Sequence, residues 1–528
     1  MTKASLIKML PTRLSRPAQL VQTHSLICRY LSGRHAPRRS FLPLLSSACF
    51  TATMASSSNA SDHDALTTSR NKHPLNPQKF PISGFEELDP SVDMEEETLP
   101  YYDPTLFYPV QIGDVLYNRY QAIAKFGFGS TSTTWLCKDL VDHRHVVLKV
   151  YIRRHSIGHN LELECFRHIQ GVEKKIDHPG RRYIRFPEEH FTIQGQDGAH
   201  EVFVLRPLGL SVRAMQSYIP SGVFPELNAV LVTKAVLSAL EFLHFDANLI
   251  HCDPDVMPQH TISILKSYVH SGNLLLTLSN ESILDQFEKT ELVKPTPRKL
   301  ATDGRIIHVT QYLLNGDNPP VLCDFSSARI CTNDDESQRG LPHMPEHYRP
   351  PEVILDMPWS YPVDMWCLGL TVSCGFPFSC PPPSNLPISY FNNFLTPTAT
   401  SHQIWRMLST KSLFGHYNGT DLDEARHLSL MVGLLGPPPL SFLKKSEKVL
   451  KYWNSDGKWK GPIPLPPPTH TLEAICPKSL EGKAKVMFLD FMRKILHWDP
   501  EERLYPGSAW HHPWVHRVVE NDGLVSVE

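Results

Sequence analysis

The stretch Leu249-Ile250-His251-Cys252-Asp253 breaks off and, after an interruption, resumes as Ser271-Gly272-Asn273-Leu274-Leu275-Leu276. Further along, Val321-Leu322-Cys323-Asp324-Phe325-Ser326 places a second acidic turn behind an apolar run. Together they have the layout of a phosphoryl-transfer site. Asp253 is a carboxylate to meet a substrate hydroxyl, and Asn273 and Asp324 are an amide and a carboxylate of the kind that hold a divalent metal. No other part of the sequence offers a comparable set.

Composition sets the bounds. At 528 residues, 41% hydrophobic and 20% charged, the chain can bury a large core in two to four structural units. A net charge of −2 and basic runs as short as Arg181-Arg182 give no field for a polyanion, so no direct nucleic-acid binding is expected. The eleven cysteines are scattered, without a Cys-x-x-Cys pair or zinc spacing, and read as reduced thiols. No run of about eighteen apolar residues is evident, so neither a membrane-spanning helix nor a membrane partner is expected.

Residues 1–61 hold eight Lys or Arg, among them Arg13, Arg16, Arg29, Arg34, Arg38 and Arg39, with many Ser and no Asp or Glu. That is the composition of a mitochondrial transit peptide; the competing readings are a basic leader without structure, or translation from Met54. Residues 62–100 are polar and read as a disordered linker.

From Tyr120 the pattern Tyr-Gln-Ala-Ile-Ala-Lys-Phe reads as a strand that turns through Gly127-Phe128-Gly129 and resumes at Thr133-Thr134-Trp135-Leu136. Glycine in such a tip lets backbone amides approach phosphate oxygens. Twenty residues after Gly129, Lys149 sits inside the β-branched strand Val146-Val147-Leu148-Lys149-Val150. A cation in an apolar strand calls for anionic partners. The next segment, Leu161–Ile169, has helical spacing and offers Glu162 as that partner, with Glu164 as the second candidate. Val202–Leu205 is an apolar strand ending in a Pro/Gly-marked connector, with backbone groups at Arg206 to Leu208 placed to face an adenine edge. Residues 226–245 form an amphipathic helix leading into Ile250-His251. Beyond Asp324, Pro350-Pro351-Glu352, Asp364–Gly369, His427–Gly436 and Phe488–Arg503 read as helices and turns of an α-rich lobe, with Glu352 and Arg503 as a buried structural pair.

In this order the elements from about 114 to 517 resemble a eukaryotic protein kinase, and most closely the SR-protein kinases and their fungal relatives. The closer resemblance is carried by Gly127-Phe128-Gly129-Ser130-Thr131-Ser132-Thr133-Thr134-Trp135-Leu136, by Leu434-Leu435-Gly436-Pro437-Pro438-Pro439, and by the lead-in from Glu97 to Asp114. It implies an α+β, bilobal protein kinase fold, with an N-lobe over 114–206, a C-lobe over 209–517 and a tail over 518–528. It further implies an ATP- and Mg2+-dependent serine/threonine protein kinase acting, as a monomer, on protein substrates that include Arg/Ser-rich splicing-type proteins. Gly127, Gly129 and Ser132 would cover the nucleotide and Arg206 and Leu208 would hold its base. Lys149, oriented by Glu162, would hold the phosphates, and Asp253 would align the hydroxyl. Asn273 and Asp324 would bind the metal. The family implies cytoplasm and nucleus, where the leader implies mitochondria.

The sequence also departs from that pattern. The kinase catalytic loop places four residues between its Asp and Asn, whereas nineteen separate Asp253 from Asn273. Removing 256–270 restores the spacing. Removing 372–403 joins Asp364–Thr371 to Ile404–Leu408 as one helical pattern, and that segment reads as a retained intron. Cys252 replaces the usual Arg, Asp255 stands where many kinases keep a lysine, and Ser326 replaces the turn glycine. The Cys252 change implies activity without loop phosphorylation, whereas Asp255, Ser326 and the split catalytic loop favour, as the alternative, a pseudokinase acting as an interaction module. On the helix that docks Arg-Ser peptides in the resembled family, Arg426 and Gly433 stand at the acidic positions.

Overall fold

The computed structural model describes residues 73–99, 102–153, 160–173, 176–217, 219, 221–251, 272–313, 319–331, 348–370, 404–409, 413–414, 422–520 and 523–526. Asp253, the segments 256–270 and 372–403, and the basic leader lie outside the described residues.

Two short strands, β1 (Glu87–Leu88) and β2 (Val115–Leu116), precede the hairpin β3 (Tyr120–Phe128) and β4 (Ser132–Asp139). Then come β5 (His145–Tyr151), helix α1 (Leu161–Glu173), β6 (Pro187–Gln194) and β7 (Ala199–Leu205). The six strands from β2 on form one antiparallel sheet in the order β2-β3-β4-β5-β7-β6. β-Branched and aromatic residues fit this pleated surface, and Tyr120, Trp135, Val146, Leu148 and Val204 pack into one core beneath it.

The larger lobe is built on α2 (Glu226–Glu241), which passes through a wider π-helical turn, Phe242–Asp246, into β8 (Leu249–Ile250). By length and composition Glu226–Asp246 is apolar enough to cross a membrane, contrary to the sequence expectation that no such run exists. Two thirds of its most apolar window is buried within the fold, where Val230, Leu237 and Leu240 are core residues. Strand β9 (Leu274–Leu276) and helix α3 (Ser282–Val293) follow, then β10 (Arg298–Leu300), β11 (Ile306–His308), β12 (Pro320–Leu322) and β13 (Arg329–Ile330). After them come α4 (Pro362–Gly369), α5 (Ile404–Leu408), α6 (Leu422–Leu435) and α7 (Gly482–Ile495). Trp366, Trp405, Phe414, Phe488 and Trp514 stack through the core of this lobe. Arg503 donates to both Glu352 oxygens, at 2.6 and 2.5 Å, with both side chains sealed from solvent.

Three boundaries differ from the sequence expectation. The segment read as a disordered linker is ordered from His73 on, tied by the Leu75 N–H to the Leu140 carbonyl at 2.8 Å, and packs into the fold from Phe80. Phe80 is buried, and β1 pairs with β10, which in turn pairs with β11. Its acids are the reason: Glu95 and Glu96 meet the buried Lys125, and Glu97 meets the buried Lys299 at 2.7 Å, so ion pairs supply what apolar residues do not. Second, α3 belongs to the small lobe although it follows β9 in the chain, because Leu284 packs against Ile123 and Leu136 of the sheet. Third, the tail carries a hairpin of β14 (Arg517–Glu520) and β15 (Gly523–Ser526).

Candidate active site

An open cleft of about 350 Å3 lies between the sheet and the larger lobe. Lys149 enters it from β5, whose other residues are apolar save His145, and its Nζ lies 2.6 Å from Glu162 Oε2 and 3.5 Å from Asp324 Oδ1. Burial works against the ammonium charge, but the Glu162 and Asp324 carboxylates outweigh it and hold the lysine above its ordinary pKa. Glu162 is the better connected of the two helix candidates. The same Oε2 accepts the Tyr151 hydroxyl, and Oε1 accepts the Phe325 backbone N–H at 3.3 Å. Burial, then the Glu162 charge, pushes the Tyr151 phenol well above its usual range.

Asp324 has φ +64°, a left-handed conformation that costs energy for a residue with a side chain. What holds it is the next residue. Phe325 is sealed from solvent between Phe166 of α1, 5.3 Å away, and the His251 ring, 4.9 Å away edge-on. Ser326 is not among the residues with positive φ, so the loss of glycine there carries no backbone penalty.

Asn273 and Asp324 are 51 positions apart and line the same cleft. The antiparallel ladder of β9 with β12, in which Leu274 pairs with Leu322, brings them together, and the Cys323 N–H donates to the Asn273 carbonyl at 2.8 Å. An amide oxygen and a carboxylate are hard oxygen donors, and this pair fits a divalent cation. Another trio of cation-ligand type joins His145 of β5 to Asp285 and Glu288 of α3. Lys138 approaches both of its acids, at 3.8 and 3.5 Å, and makes it an ion-pair node.

Gly127, Gly129 and Ser132 line the cleft roof. The tip is shorter than the sequence suggests, because β3 continues through Gly127 to Phe128 and the Gly129 N–H closes the turn on the Ser132 carbonyl at 2.8 Å. Gly127 marks a close approach rather than a turn: a Cβ there would lie 2.9 Å from Thr134 Oγ1, which would have to shift. Leu208 packs behind the cleft with Val321, Cys323 and Leu275. Arg206 is exposed, and its carbonyl accepts Arg185 Nη2 at 2.8 Å. Sequence reasoning missed three residues here. Tyr151 and Arg185 carry no motif, and Asp364, visible only as part of a helix, accepts the His251 N–H at 2.9 Å.

Over 445 residues the chain is 34% identical to a serine/threonine protein kinase of Aspergillus fumigatus, spanning 83% of this chain and 95% of that protein. It is 24% identical to the serine/threonine-protein kinase SRPK of Physarum polycephalum, over 80% of this chain and 92% of that one. It is 33% identical to SRSF protein kinase 3 of Mus musculus over 31% of this chain and 29% of that protein. No protein-family model matches the chain.

Proposed function

The chain belongs to the serine/threonine protein kinases, and from that premise we propose that it uses Mg2+ to move the γ-phosphoryl group of ATP onto serines of Arg/Ser-rich proteins. Its reaction is that of a protein kinase acting on protein substrates, with ATP and a divalent metal; the pseudokinase alternative draws no comparable support. The observation that carries the proposal is the convergence of Lys149, Glu162 and Asp324 on one cleft roofed by Gly127 and Gly129.

Each residue then has a task. Lys149 neutralises phosphate oxygens, and Glu162 is a positioning residue that keeps the ammonium aimed into the cleft. Asn273 and Asp324 hold the metal, whose charge offsets what develops on the transferring group. Asp253 accepts the hydroxyl proton and aligns the nucleophile. Arg206 and Leu208 frame the base.

The Arg/Ser preference is supported by the kinases named SRPK and SRSF protein kinase 3 among the relatives. The helix α6 supplies little acid for it: Asp423 is buried, and Glu424 is 3.2 Å from Lys448 and accepts the Tyr452 hydroxyl at 2.9 Å. The test is transfer of labelled phosphate to an Arg-Ser-repeat peptide and to a generic basic protein, with Asp324→Ala as control. Transfer that vanishes in the control and favours the repeat peptide supports the proposal. Equal transfer to both substrates removes the Arg/Ser preference. Silence of the intact chain and of a form lacking 256–270 and 372–403 overturns the mechanism.

A further inference from the structure

The cleft wall carries a cation that the phosphate chemistry does not use. Ile184 bridges to Leu322, and the Arg185 N–H donates to the Leu322 carbonyl at 2.9 Å, which fixes the arginine on the wall beside Leu205 and Cys323. There its Nη2 donates to the Arg206 carbonyl at 2.8 Å. Its Nε is shielded from solvent and has no hydrogen-bond partner among the described residues, and the guanidinium also meets the buried Cys323 thiol. A guanidinium so placed still has N–H donors to give.

We infer that Arg185 reads the 6-position of the purine and makes this kinase accept 6-oxopurine nucleotides alongside ATP. The inference rests on the reading of the cleft as the nucleotide site, with the base edge against Arg206. The Arg206 carbonyl is the acceptor that a 6-amino group would seek. Arg185 already occupies part of that acceptor and adds donors next to it. An amino group then meets donors, whereas a 6-oxo group accepts a charge-assisted hydrogen bond. The apolar walls at Leu205 and Leu275 do not tell the two bases apart. With an aliphatic residue at 185 the carbonyl would serve the amino group alone.

Titration calorimetry of the full chain in Mg2+ tests this with adenosine diphosphate and inosine diphosphate, whose bases differ in carrying 6-amino or 6-oxo with a protonated N1. The full chain is expected to bind the two within about tenfold of one another. In Arg185→Val the inosine nucleotide should lose roughly tenfold relative to the adenosine one, the factor that one charge-assisted hydrogen bond supplies. Weaker inosine binding by much more than tenfold in the unaltered chain, or a ratio that Arg185→Val leaves unchanged, overturns the inference. Should the variant fail to fold, the ratio in the unaltered chain decides. A chain that binds adenosine but not inosine diphosphate overturns this inference alone; a chain that binds neither overturns the nucleotide reading with it.

Discussion

The backbone of Cys323 ties down the Asn273 end of the segment proposed as the catalytic loop, its N–H donating to the Asn273 carbonyl at 2.8 Å. Its carbonyl lies 3.2 Å from His251 Nε2, so the same residue also holds the other end. Entry and exit of the interrupted loop are therefore fixed on one residue, next to Asp324. The geometry at the two ends does not depend on how many residues lie between them, which is how the site can coexist with the long spacing.

Deletion of 256–270 is accordingly expected to leave the fold intact and to raise stability by about 1 kcal/mol, since each halving of a closed loop returns about 0.6 kcal/mol. Chemical denaturation of the two forms measures it. A large loss of stability on deletion would show that the inserted residues are part of the core.

Much of this architecture is legible in the sequence, because it is written locally. Alternation in β3 to β5, the helical spacing of α1 and the lone Lys149 in an apolar strand each need a window of only ten residues or so. The order of those windows then identifies the fold. What is not legible depends on pairs far apart in the chain: Glu95 with Lys125, Leu284 with Ile123, Arg185 with Arg206, and Asp364 with His251. The segment from His73 looked like a linker because its stabilisation is ionic, and composition counts a paired acid and a solvated one alike.

Asp364 accepts the His251 N–H and also lies 2.9 Å from His244 Nε2, fully buried in α4. Asp364→Asn keeps the shape but exchanges an acceptor-only group for one that is half donor. A displacement of about 1 Å in the loop is worth about a hundredfold in rate. The expected result is a kcat lowered by about that factor with the KM for ATP nearly unchanged, read by steady-state kinetics. A KM effect alone would place Asp364 on the nucleotide side of the site.

Lys149 and Glu162 should behave as one unit. Lys149→Met removes the charge that the proposed mechanism sets against the phosphates and is expected to lower kcat/KM by about a hundredfold to a thousandfold. Glu162→Gln keeps an acceptor oxygen for the Tyr151 hydroxyl or the Phe325 N–H, so its effect on rate should run mainly through the lysine and cost less. The double variant should match Lys149→Met rather than the product of the two effects, because groups that act together are not additive. Additive losses would mean that Glu162 has a task of its own, such as its bond to the Phe325 N–H.

Glu352 and Arg503 form a pair whose loss leaves a charge stranded in the core. Glu352→Ala is expected to cost about 3–5 kcal/mol of stability. ATP affinity should not change below the melting temperature, since the pair does not line the cleft. Thermal denaturation and nucleotide titration on the same sample separate the two effects.

Acid sensitivity should trace in good part to His308. Burial first, and then the charges of Arg298 and Lys125, hold this imidazole down to about 3, and Gln111 Oε1 lies 3.0 Å from its Nε2. In the unfolded chain a histidine titrates near 6.5. Between those values the unfolded state binds one more proton than the folded state, so stability is complete above about pH 6.5 and declines as the pH falls. Each pH unit in that window costs up to about 1.4 kcal/mol, which makes the loss between pH 7.5 and 5.0 about 2 kcal/mol from this group. His308→Gln cannot take up the proton and still reaches Gln111, so its stability should fall by about 2 kcal/mol less over the same interval. His251, whose imidazole burial also lowers, leaves a residual decline in the variant. Equal pH slopes for the variant and the unaltered chain would assign the acid sensitivity to other groups.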